Sequence, residues 1–153
     1  MISEVAPSRM GFAIGVALIV LGGLVAAVTG PLALTRGSWL AAFLVLVGGV
    51  AQCVISVQSR LAEAPLPPRA RGWMLVLLWN AGAAIVIAGS LASMPWVTAA
   101  GGLALVAALA LAADGTRRPR RRGAAVLLRL LYAALAVSVV IGVALTALRV
   151  AAG

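Results

Sequence analysis

Histidine and lysine are absent from this chain, cysteine occurs once, at Cys53, and the only carboxylates are Glu4, Glu63 and Asp114. Each absence removes a class of chemistry. Without histidine the commonest general base and metal ligand is missing. A single cysteine allows no intrachain disulfide. Cys53 falls within an apolar run and reads as a small buried hydrophobe. No nucleophile has a base nearby, and no glycine-rich phosphate loop precedes a polar helix. The sequence therefore predicts no enzyme: no catalytic residues, no metal and no cofactor. The three acids all fall in the tail or in loops, so a carboxylate proton relay or cation site within a bilayer is not expected either.

What is present is apolar. Of 153 residues, 64% are hydrophobic and only 10% charged, a balance that excludes an ordinary water-soluble domain. Five long apolar stretches can be drawn, at about residues 10–29, 39–57, 73–91, 96–113 and 124–148. Each is long enough to cross a hydrocarbon layer of about 30 Å at the helical rise of 1.5 Å per residue. The expected fold is an all-α membrane protein, one bundle of five transmembrane helices over residues 1–153. The first stretch exceeds the 7–15 residues or so of a secretory signal's apolar region, so it is expected to be a retained helix. Gly30-Pro31 should end it, because proline disfavours helix in the residue before it. Gln58 to Gly72 should form a connection, stiffened by Pro65, Pro67 and Pro68 into extended polyproline structure. Trp39 and Trp96 should mark one membrane interface and Trp73 the other. Trp79 lies too deep for that role.

The arginines set the orientation. Arg9, Arg60, Arg69, Arg71, Arg117, Arg118, Arg120, Arg121, Arg122 and Arg129 fall on one side of the five stretches, and only Arg36 and Arg149 on the other. Cytoplasmic loops retain positive charge, which predicts a cytoplasmic N-terminus and a C-terminus outside. Arginine to the exclusion of lysine, beside abundant alanine, glycine and valine, suggests a high-GC bacterial genome and hence the bacterial inner membrane. The run Arg117, Arg118, Arg120, Arg121 and Arg122 is expected to bind anionic lipid headgroups, each charge gaining about 1 kcal/mol beside an anionic leaflet. The net charge of +9 does not point to nucleic acid, because these residues sit in short loops with no aromatic side chain to stack bases.

A few polar residues fall inside the stretches. Gln52 lies about 7–8 Å from the inner end of the second, and Asn80 about 10 Å into the third. Their amides are expected to meet in one layer, with Arg129 and Tyr132 of the fifth stretch in the same zone and Ser56 slightly nearer the cytoplasm. That layer either ties helices together, with Arg129 snorkelling to the headgroups, or lines a small polar cavity. Small residues offer faces for close helix approach: Gly11 with Gly15, and Gly82 with Gly89, the latter flanked by Ala81 and Ala88 with Ile85 as a candidate knob. The same faces would suit a membrane-protein partner or a second copy. Two functions follow. The first is a non-catalytic accessory or scaffold subunit acting through helix and lipid contacts. The alternative is a small transporter or channel using Gln52, Asn80, Arg129 and Tyr132.

Overall fold

The computed structural model describes residues 6–115 and 121–151. Helix makes up 85% of the chain, with no strand among the described residues. The helices are α1 (Pro7–Thr29), α2 (Gly37–Leu61), α3 (Arg69–Leu91), α4 (Pro95–Asp114) and α5 (Arg122–Ala151). All five are long and apolar enough to cross a membrane, α5 over its Arg122–Gly142 part.

Local chemistry explains where they begin and end. Pro7 and Pro95 occupy first-turn positions of α1 and α4, where a missing N–H costs nothing. A residue with left-handed backbone follows each of α1, α2 and α3 within four residues: Ala33 (φ 48°), Glu63 (φ 47°) and Ser93 (φ 57°). In each case the N–H of the following residue reaches back five residues. Leu34 donates to the Thr29 carbonyl (3.0 Å), Ala64 to Ser59 (2.9 Å) and Met94 to Gly89 (2.8 Å). This closes the last turn as glycine usually does, here with residues that carry a Cβ. The connection expected over Gln58–Gly72 is shorter than that. Helix α2 continues to Leu61 and α3 begins at Arg69, directly after Pro68. Polar side chains ended the apolar stretch but nothing in them opposes helix, so the irregular backbone is confined to 62–68.

The chain divides into two compact units, meeting in sequence between Val57 and Gln58. In the first, α1 and α2 run antiparallel and touch through glycine. A Cβ added at Gly15 would lie 3.0 Å from the Gly49 carbonyl oxygen, and one added at Gly22 3.0 Å from that of Ala41. The middle of α2, Leu44–Ala51, is wound as a wide π-helix and contains Gly48 and Gly49.

In the second unit α3 and α4 form a hairpin and α5 packs on α4. A Cβ at Gly82 would lie 3.1 Å from the Gly101 carbonyl, and one at Gly89 2.7 Å from the Thr98 hydroxyl. The heptad pair of glycines thus serves packing within the chain. Its knob is Val86, which is buried; Ile85, the residue expected there, is exposed together with Ala81 and Ala88. Trp79 and Leu105 are the largest fully buried side chains, so the deep tryptophan is a core residue. Trp96 is exposed at the start of α4, and Trp39 stacks on Phe43 with ring centroids 5.4 Å apart.

The outward faces are apolar. Phe12, Val20 and Leu24 on α1 and Leu127, Leu130 and Ile141 on α5 are all exposed. Water does not tolerate such continuous surfaces, whereas lipid does, and helices satisfy every spanning backbone group internally. The chain is a multi-pass membrane protein.

Candidate functional site

In the second unit two polar side chains from distant parts of the chain meet. The Tyr132 hydroxyl donates to Gln58 Oε1 at 2.7 Å, and both side chains are buried. Gln58 is brought there by the continuation of α2 past the apolar stretch, and Tyr132 by the third turn of α5. A buried tyrosine hydroxyl ordinarily needs a partner, and that need was the one signal pointing to a polar residue near Tyr132. Asn80, expected in the same layer, is half-buried, and its Nδ2 donates to the Val76 carbonyl of its own helix at 2.8 Å. Arg129 lies on the exposed face of α5. Trp79 is buried with its Nε1 unpartnered.

Gln52 belongs to the first unit and is nearly inaccessible, at 2% exposure. Both its amide atoms are buried with no hydrogen-bond partner. Its backbone is well held: the N–H donates to the Gly49 carbonyl, and its own carbonyl accepts the Ser56 hydroxyl at 2.8 Å. Cys53, beside it, is only half-buried, with Sγ 3.8 Å from the Phe12 carbonyl oxygen.

One end of the second unit is rich in arginine. Arg60 closes α2, Arg69 and Arg71 open α3, and Arg121 and Arg122 open α5. The Arg71 guanidinium bonds the Asp114 carboxylate and the Leu111 carbonyl, the latter at 3.0 Å. Arg121 pairs with Glu63 at 2.6 Å, and its backbone N–H donates to the Ala62 carbonyl at 3.2 Å. These contacts tie the 62–68 connection to the start of α5, and the start of α3 to the end of α4. Helices α3 and α5 have no acidic residue in their first turns, so the positive ends of both helix dipoles add to the arginine charge. This end can attract anions. Arg117, Arg118 and Arg120 lie outside the described residues. Among the described residues no group of histidine, cysteine, aspartate or glutamate is arranged to hold a metal ion.

No family model matches the sequence, and neither a curated protein nor a solved structure matches it.

Proposed function

We propose that this chain is a non-catalytic, multi-pass protein of the bacterial inner membrane, an accessory or scaffold subunit that works through helix contacts and anionic lipid. Its N-terminus and the 62–68 and 115–121 connections face the cytoplasm. The observation that carries this reading is the charge at the arginine-rich end. Glu63 and Asp114 are both taken up by Arg121 and Arg71, and two carboxylates cannot balance the arginines gathered there. Lipid phosphates supply the missing negative charge. The glycine faces of α1 and α3 are used up within the chain, so a membrane-protein partner or second copy would meet the exposed Leu, Val and Ile surfaces of α1 and α5. A small transporter is the second reading, favoured by one observation, the unpaired amide of Gln52.

The test is purification in mild detergent, with bound lipids and companion chains identified by mass spectrometry. Wild type should retain phosphatidylglycerol over phosphatidylcholine and bring a membrane protein with it. Replacing Arg117, Arg118, Arg120, Arg121 and Arg122 by Lys should preserve the lipid preference, because surface potential acts on charge at about 1 kcal/mol per residue. Replacing them by Gln should abolish most of it. An unchanged preference in the Gln variant would refute the lipid contact. Loss in the Lys variant would replace it with a ligand that needs the guanidinium fork.

A further inference from the structure

Two exposed arginines at the end of the second unit are left without a carboxylate. Glu63 pairs with Arg121 and Asp114 with Arg71, whereas Arg60 and Arg122 have no carboxylate partner among the described residues. The fold brings these two together. Arg60 stands two residues before Ala62, and Arg122 directly follows Arg121. The Arg121 N–H donates to the Ala62 carbonyl at 3.2 Å, and its side chain holds Glu63 at 2.6 Å. Deeper in the same seam, the Tyr132 hydroxyl donates to Gln58 at 2.7 Å. Three contacts thus fix the end of α2 against α5. Backbone dimensions across the Ala62–Arg121 bond keep the Cα atoms of Arg60 and Arg122 within about 18 Å. Two extended arginine side chains largely close that gap.

A headgroup with one phosphate satisfies one of these guanidinium groups and leaves the other. Two separate headgroups would each lose their own freedom of movement. The second phosphate of a single molecule instead binds at the high effective concentration set by its tether. Guanidinium suits the task, because its planar fork matches phosphate oxygens. The face of α5 that begins at Arg122 continues through Val126, Arg129, Ala133, Val137 and Val140, all exposed. Apart from Arg129, whose long stem lets its charge snorkel toward the boundary, this face is apolar. A lipid has acyl chains to lay along it, and a soluble diphosphate has nothing to place there.

We propose that the corner formed by Arg60 and Arg122 binds one phospholipid with two phosphates in its headgroup, a cardiolipin-type lipid, whose acyl chains lie along the exposed face of α5. This site rests on the anionic-lipid reading above and narrows it. General attraction for anionic lipid belongs to the whole arginine-rich end, and the preference for two phosphates belongs to this pair. Arg121 is a positioning residue: its bonds to Glu63 and Ala62 hold the spacing.

Native mass spectrometry of the full chain in mild detergent tests the site, with cardiolipin, phosphatidylglycerol and phosphatidylcholine added in equal amounts. Wild type should retain cardiolipin over phosphatidylglycerol. Arg60→Gln and Arg122→Gln should each lower that ratio about fivefold, equivalent to about 1 kcal/mol for one lost charge contact. The double variant should fall little further, because either single change already leaves one phosphate unmatched. Arg9→Gln removes one exposed charge from the first unit and should leave the ratio near that of wild type. Equal losses in all three single variants, or losses that add in the double variant, would overturn the site and leave a diffuse attraction, with the lipid reading intact. Wild-type protein that does not prefer phosphatidylglycerol over phosphatidylcholine would overturn the lipid reading itself, and the site with it. Displacement of cardiolipin by excess inorganic pyrophosphate would overturn the lipid as occupant in favour of a soluble diphosphate.

Discussion

At the scale of single residues, the Tyr132–Gln58 hydrogen bond is the best-defined polar contact in the chain. Tyr132→Phe leaves the Gln58 oxygen buried without a donor, and a stranded acceptor costs about 1–3 kcal/mol. Gln58→Leu strands the tyrosine hydroxyl in the same way. The double variant should recover part of the combined loss, because both polar groups then leave together. Thermal unfolding of the four proteins in detergent gives the coupling, and additive losses would show that the bond contributes nothing. Tyr132 was legible from its depth and its need for a partner. Gln58 was not, because it follows the last apolar residue of its stretch and resembles the start of a loop. Whether such a residue continues a helix depends on what it meets, and that contact is 74 residues away in sequence.

At the scale of elements, glycine decides how close the helices come, and the structure separates glycines that are filled from those that are not. A Cβ at Gly101 would lie 2.6 Å from the Val86 nitrogen and 2.8 Å from the Gly82 carbonyl. Both are backbone atoms, so α3 and α4 would have to part. Gly101→Ala should destabilise the second unit by about 1–3 kcal/mol, the usual range for overpacking. Gly23 has nothing within 4 Å of its added Cβ, and Gly23→Ala should be neutral or stabilise α1 by up to about 1 kcal/mol through helix propensity. Melting curves that ranked the two substitutions in the opposite order would contradict the helix contacts described. Adjacent glycines look alike in the sequence. Gly22 and Gly23 nevertheless differ completely, since one turn of about 100° separates a contact face from an open one.

At the scale of the whole molecule, the five spans and the arginine distribution give a prediction that needs no side-chain geometry. An odd number of crossings would put the termini on opposite sides, and the arginine bias predicts that the N-terminus is inside. Alkaline phosphatase fused at Ser93 or at the C-terminus should be active, and fused within 62–68 it should be inactive. Activity in the reverse pattern would invert the chain and move the arginine-rich end out of the cytoplasm. The bias rests on guanidinium groups in short connections, and no packing detail alters it.

The number, type and approximate limits of the helices were determined by residue identity alone. Apolar length and the prolines at Pro7, Pro31, Pro68 and Pro95 act locally, and any chain with these runs must satisfy its backbone as helix in lipid. The rotation of each helix about its axis was decided only by tertiary structure. These helices are apolar on every side, so the alternation that reveals the inward face of a soluble helix is missing. That is why Val86 rather than Ile85 fills the α3–α4 contact, why Trp79 lies in the core, and why Gln58 is the residue that receives Tyr132. The wide turn before Gln52 belongs to the same class, because nothing in Leu44–Ala51 distinguishes a π-wound from an α-wound run until Gly49 is set against Gly15.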